Sequence, residues 1–313
     1  MDLNISSNIQ HMFRYLLFSA FFASLSIGTQ AQQMPLVSNF MFNQLIYNPA
    51  AAGMQETQFN ANLVSRFQWT GMNGAPVTNM FWADYRFPAK KMALGLNINY
   101  DKFGANRNTD FLLNYAYYVP LTSKWKLSMG LRMGFTSAKF STAYLDRVWD
   151  QGDPVVEASN VSAMMPKAGA GLQLSTKNFY AGFSAPDLIM SDKQNLYGNE
   201  GKPFFSKKRN YMMMAGYRVK LSDSYKLYPN LRISYFPDSK VRADLNLIFE
   251  ITDYFWAGAT YSSYKSHALM AGTHISSRVR FAYAYEFKRD LGVNLNTHEI
   301  NLMLNLDGLF RKK

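Results

Sequence analysis

From residue 57 onward, apolar and polar side chains alternate with a period of two. In one run Trp125, Leu127, Met129, Leu131, Met133 and Phe135 interleave with Lys126, Ser128, Gly130, Arg132, Gly134 and Thr136. In another Val241, Ala243, Leu245, Leu247, Phe249 and Ile251 stand against Arg242, Asp244, Asn246, Ile248 and Glu250. Such runs place one chemistry on each face of a strand. The pattern predicts fourteen strands, at 57–69, 77–87, 91–101, 108–119, 125–137, 165–175, 178–185, 209–221, 225–235, 240–251, 254–263, 266–275, 278–288 and 296–306. Most are close to the length a tilted strand needs to cross a bilayer, and longer than ordinary soluble strands. Both long gaps, 138–164 and 186–208, follow odd-numbered strands, while every gap after an even strand is short. Outer-membrane barrels segregate short periplasmic turns from longer external loops in this way, with both ends of the barrel in the periplasm. The expectation is an all-β fold: a transmembrane antiparallel barrel over 57–306 with a tail at 307–313.

The faces follow from the phase. Trp69, Trp125, Trp256, Tyr47, Tyr100 and Tyr225 are expected in the interfacial aromatic girdles. Leu245 and Leu247 are expected to face lipid, so that an Arg at 247 is costly and one at Asn246 far less so. The inward set includes Arg66, Asp84, Arg86, Lys126, Arg132, Lys167, Arg218, Lys220, Arg232, Arg242, Asp244, Glu250, Arg280, Glu286 and Glu299. Both signs occur there, so these charges can pair across the interior.

Two segments depart from the alternation. Arg14 precedes an apolar run from Tyr15 to Ile27, followed by Thr29-Gln30-Ala31. This reads as a secretory signal peptide over 1–31, cleaved after Ala31, because the run is shorter than a spanning helix requires. Residues 32–56 form an apolar, turn-rich stretch. Ser38 could cap one or two helical turns carrying Phe42, Leu45 and Ile46 on one side, ended by Asn48-Pro49. That segment is expected either to plug the barrel or to lie at its periplasmic mouth.

Composition narrows the chemistry. The 313 residues contain no cysteine, which excludes disulfides, thiolate metal sites and an acylated N-terminal Cys. The net charge is +12. Behind an export signal this balance fits anionic headgroups, the cell wall or an acidic partner better than nucleic acid. His267, His274 and His298 lack metal-ligand spacing, and no phosphate-binding glycine loop opens a helix. The chain reads as a non-enzyme without cofactors.

The run Phe40-Met41-Phe42-Asn43-Gln44-Leu45-Ile46-Tyr47-Asn48-Pro49-Ala50-Ala51-Ala52-Gly53 resembles the opening signature of the PorP/SprF family of Bacteroidetes. Arg66-Phe67-Gln68-Trp69-Thr70-Gly71-Met72-Asn73-Gly74-Ala75-Pro76 resembles its second signature, the first external hairpin. Ala93-Leu94-Gly95-Leu96 before Asp101-Lys102-Phe103-Gly104 resembles a third, although Met54 stands where a Ser often follows the first. The signature positions, structural or partner-contacting, are Phe42, Asn43, Tyr47, Asn48, Pro49, Gly53, Gln68, Trp69, Gly71, Gly74 and Pro76. The resemblance implies an outer-membrane component of type IX protein secretion, and of gliding motility in some members. Its implied partners are a periplasmic lipoprotein ring of the PorK/PorN type, a peptidoglycan-binding protein and secreted cargo, besides outer-membrane lipids. The rival expectation is a channel or transporter for small or hydrophobic solutes. Segment 32–56 and the tail with Phe310, Arg311, Lys312 and Lys313 are the candidate periplasmic contact surfaces, since each turn alone is too short for a standard interface.

Overall fold

The computed structural model describes residues 36–55, 57–140, 161–190, 209–237, 241–252, 254–290 and 293–307. Residues 1–31, expected to be an export signal, residues 308–313 of the tail including Phe310, and the middle of both long loops lie outside these. Among the described residues no helix is long and apolar enough to cross a membrane. The chain crosses with strands.

Fourteen antiparallel strands follow the alternation: β1 (Phe59–Phe67), β2 (Val77–Phe87), β3 (Met92–Phe103), β4 (Asn106–Pro120), β5 (Lys126–Phe140), β6 (Val161–Ser175) and β7 (Phe179–Met190). Then come β8 (Tyr211–Tyr217, continued by Val219–Lys220), β9 (Tyr225–Tyr235), β10 (Arg242–Ile251), β11 (Phe255–Ser262), β12 (Ser266–His274), β13 (Val279–Asp290) and β14 (Thr297–Asn305). Each expected strand is present. β5, β6 and β7 reach further into the two long connections than the alternation suggested, to Phe140, Val161 and Met190. β1 pairs with β14 from Asn60↔Asn305 to Phe67↔His298, so the sheet closes on itself and leaves no edge in lipid. The ladder is irregular between β6 and β7, where Ala168 faces Ile189 but Ala170 faces Ala185. The extra residues include Pro186, which has no N–H to give a regular ladder. By the outer-membrane rule the short turns are periplasmic, which puts Phe59 and Asn305 at the periplasmic end.

Burial resolves the two faces. On β10 Leu245 and Leu247 are 55% and 47% exposed, whereas Asp244 and Asn246 are fully buried. The lipid face is apolar and the lumen carries the polar groups, as the phase implies. One expectation fails here. Asn246 donates to Thr260 Oγ1 at 2.8 Å and is packed, because the lumen is filled rather than watery. An Arg there would not be mild.

The girdle also needs correction. Trp125, Tyr100 and Tyr225 are exposed, and Trp125, Phe179 and Tyr217 form a chain of ring contacts at 5.8 and 6.5 Å around the periplasmic rim. Trp256 does not belong to it. It shares the phase of Thr260 and Ser262 and is buried in the lumen, where its ring lies 5.1 Å from that of Phe42. Tyr47 is fully buried too, because it lies in the N-terminal segment and its hydroxyl accepts from the Val37 N–H at 2.8 Å. Of the inward charges, Lys126, Lys220 and Arg280 have the inward phase but lie exposed at the mouth.

The lipid face yields a direct test. Leu247→Arg is expected to destabilise the barrel by about 2–4 kcal/mol and Leu247→Phe by much less. The comparison is made by reversible guanidinium unfolding in detergent. Equal midpoints for the two variants would place residue 247 off the lipid face.

Candidate functional site

The lumen is the site, and it is occupied by the protein's own chain. Residues 36–55 cannot join the sheet. Asn48 and Pro49 interrupt them, and three short turns form instead: 3₁₀ turns at Phe40–Phe42 and Pro49–Ala51 around one α-helical turn at Gln44–Tyr47. The Asn48 side chain accepts from the Ala50 N–H at 2.9 Å and so starts the last of them. Ser38 does not cap the first, since its hydroxyl is taken by Glu286 at 3.2 Å. Nor do Phe42 and Leu45 share a side. Phe42 meets Trp256 on β11, while Leu45 approaches Gly95 on β3.

The wall holds this plug by its backbone, which a helix-poor segment leaves unpaired. Near the external end Glu299 accepts from the Ser38 N–H at 2.8 Å, the Asn39 N–H at 3.1 Å and the Asn39 side chain at 3.0 Å. Arg66 bridges Glu299 at 3.2 Å and Glu286 at 2.7 Å. Arg232 donates to Val37 O at 3.0 Å and pairs with Asp244 at 2.7 Å. The Arg232 guanidinium also covers the rings of Phe40 and Tyr47 at 4.5 and 5.1 Å. At mid-depth Asn43 accepts from Trp82 at 2.9 Å and Asn62 at 2.7 Å, and donates to Asn301 at 3.0 Å. Arg132 donates to Ile46 O at 2.9 Å, to Leu45 O and to Asn114 at 2.7 Å. These carbonyls are the free C-terminal acceptors of the helical turn. Lower down Ser184 donates to Tyr47 O at 2.9 Å, Ser128 to Ala50 O at 2.6 Å and Tyr118 to Ala52 O. Asp84 accepts from the Gly53 N–H at 2.6 Å. The remaining arc of wall is apolar: Met212, Met214, Ile248, Trp256 and Met270 pack with Phe40, Met41 and Phe42 in one buried cluster.

Two glycines are explained by this fit. A Cβ on Gly130 would collide with the backbone of Pro49 and Ala50, so β5 must be bare where the plug crosses it. Gly53 has φ 66° and a Cβ there would meet Tyr118 and Ala93, so the exit from the plug suits glycine alone.

The signature positions divide into two places. Phe42, Asn43, Tyr47, Asn48, Pro49 and Gly53 are in the lumen. Gln68, Trp69, Gly71, Gly74 and Pro76 form the external β1–β2 hairpin, nine strand residues away along β1. There the Gln68 N–H donates to Pro76 O at 2.9 Å, and Gly74 O accepts from the Gly104 N–H at 2.9 Å in the next hairpin. Gly71 and Gly74 have φ of 100° and 74°, and Trp69 sits at φ 50°. The structure does not join the two groups into one pocket. Sequence reasoning placed Arg66, Arg132, Arg232 and Glu299 inward but paired them only with one another. What it missed is that Arg132, Arg232 and Glu299 bind main chain, while Arg66 braces Glu299 through its side chain. The available signal was the row of uncharged inward amides, Asn62, Asn97, Asn114 and Asn301, which needs partners that wall charges do not supply. Among the described residues no group of His, Asp and Glu is placed to hold a metal.

The clamp is testable. Glu299→Gln keeps shape but removes a buried charge, and it should cost near the lower end of ~3–5 kcal/mol in guanidinium unfolding, because Arg66 retains Glu286. An unchanged midpoint would mean that Glu299 does not hold the plug. Gly130→Val should displace residues 49–50. In planar bilayers the variant should conduct ions where the parent is closed, and a closed variant would show that the wall yields instead.

Among solved structures the chain is similar to the CymD monoaromatic hydrocarbon channel, at 13% identity and TM-score 0.51 over 84% of this chain and 91% of that one. It is likewise similar to the Ralstonia pickettii toluene transporter TbuX, at 13% identity and TM-score 0.51 over 83% and 92%. At such identity these matches establish the fold of an outer-membrane barrel. No curated protein matches the sequence. A family model described as "Type IX secretion system membrane protein PorP/SprF" matches residues 29–304.

Proposed function

The chain belongs to the PorP/SprF family of type IX secretion system membrane proteins, and from that premise we propose that it serves the machinery as an outer-membrane anchor and not as a conduit. The observation that carries this reading is the filled lumen. Ions or solutes would have to break the Glu299, Arg232 and Arg132 clamps to pass, and a folded cargo protein has no path at all. A barrel fixed in the membrane with a rigid interior suits a role as a foundation for other components. In this reading it couples a periplasmic lipoprotein ring of the PorK/PorN type, and a peptidoglycan-binding protein, to the outer membrane. It thereby assists cargo export and, in a gliding organism, adhesin display.

The competing reading is a solute channel. It draws on the names of the two barrels of similar fold, one called a hydrocarbon channel and the other a toluene transporter. Their likeness reaches only the fold, so the plug decides between the readings. Deleting the gene should abolish secretion of type IX cargo and leave uptake of toluene unchanged. The purified protein should show no steady conductance in planar bilayers. Normal secretion together with lost toluene uptake would reverse the assignment.

A further inference from the structure

Seating residues 36–55 inside the barrel removes them as a periplasmic contact surface, since most are buried. What remains at that end is the ring of turns and strand ends, and its charge is one-sided. The β2–β3 turn carries Lys90 and Lys91, and Lys124 and Lys126 flank the start of β5. Lys177 caps the β6–β7 turn, and Arg278 and Arg280 flank the start of β13. All seven are exposed. The acids described at this end are engaged. Asp223 pairs with Lys220 at 2.5 Å, and that hydrogen bond holds its carboxyl below the usual range. Glu250 pairs with Lys226 at 2.6 Å. Asp84 holds the plug, and Asp307 accepts from the Gln58 and Phe59 N–H groups at 2.7 and 2.8 Å.

Direction separates two partners for this charge. Lys126 continues the inward row of Ser128, Gly130 and Arg132, and Arg280 continues that of Ala282, Ala284 and Glu286. Both therefore stand over the mouth. The outward row at the same height is Trp125, Phe179, Tyr217 and Tyr225, which already meets the bilayer interface. Lipid headgroups lie outside that aromatic ring. The cations at inward positions stand over the barrel axis instead.

Size permits a protein there. Fourteen strands about 4.8 Å apart and tilted by about 40° enclose a mouth roughly 28 Å across, or on the order of 600 Å² in projection. That approaches the ~800 Å² that each side of a standard interface buries. Each turn is too small alone, but the turns surround one opening. Neighbouring turns are two strands apart, about 12 Å along the tilted rim, or roughly one and a half screening lengths of ~8 Å in physiological salt, so their fields still overlap over the mouth.

We propose that the periplasmic mouth is a cationic collar that seats an acidic protein segment on the barrel axis, beneath the plug. This rests on the anchoring role above and names its contact chemistry. The collar would steer an acidic partner to the mouth and fix its orientation, as complementary charge does at other interfaces.

The test uses the full-length protein in phosphatidylcholine nanodiscs and a fluorescein-labelled oligoglutamate peptide. The parent should bind the peptide, with affinity falling about tenfold or more between 50 and 300 mM NaCl. Combined Lys90→Gln, Lys91→Gln, Lys124→Gln and Lys126→Gln should weaken binding at least tenfold with the heat-modifiable barrel intact. Lys139→Gln with Lys265→Gln, at the external end, should bind as the parent does. Equal peptide affinity for the parent and the fourfold variant overturns the collar. So does loss of the variant's adhesion to phosphatidylglycerol vesicles with peptide binding unchanged, which would make the charge a lipid contact. In cells, failure of the gene deletion to block secretion would sink the anchoring role itself. A deletion that blocks secretion, beside a fourfold variant that secretes normally, would sink the collar alone.

Discussion

Everything in this structure depends on the closure of the sheet between β1 and β14. In hydrocarbon an unpaired N–H or carbonyl costs several kcal/mol, so a strand bundle with an open edge cannot stay in the membrane. The Asn60↔Asn305 to Phe67↔His298 ladder removes that edge. Closure also creates a second demand. It forms an interior to which every other side chain points, and in this chain those side chains include many ions and amides. They must be satisfied by water, by one another, or by something inserted.

The N-terminal segment meets that demand. A chain of short turns exposes main-chain donors and acceptors that an ordinary helix would have paired internally. The wall uses this. Glu299 takes N–H groups, while Arg132, Arg232, Ser128, Ser184 and Tyr118 take carbonyls. Buried ion pairs alone are weak evidence of stability, because desolvation offsets much of the attraction. Here the same ions also pair the plug backbone, so plug and wall satisfy each other and neither is complete alone. A filled interior turns a fold shared with channel-like barrels into a rigid block.

That rigidity shapes the functional reading. With residues 36–55 committed to the lumen, contact with other components falls to the two rims. The external rim carries the β1–β2 hairpin of the second signature and the ends of β5, β6 and β7. The periplasmic rim carries short turns rich in lysine and arginine. Both chain ends of the barrel meet at the periplasmic rim, where Asp307 ties the last turn to Gln58 and Phe59.

Strand number, strand position and the two faces were legible in the sequence, because a pleated strand must alternate and because lipid tolerates only apolar groups. Leu245, Leu247, Asp244 and Asn246 could be assigned to their faces from parity alone. The turn chemistry of Gly71 and Gly74 was legible too, as backbone demand is local. Trp256 and Tyr47 were misplaced, since an aromatic near a strand end or in an apolar segment suits a girdle and a core equally by composition. The burden on Glu299 and Arg132 was not legible, because their partners are backbone atoms over two hundred and fifty residues away for Glu299 and some eighty for Arg132. Alternation reports which way a side chain points, and it carries no information about what waits there. Only the three-dimensional fold, by curling fourteen strands around one short segment, decided that the interior is solid.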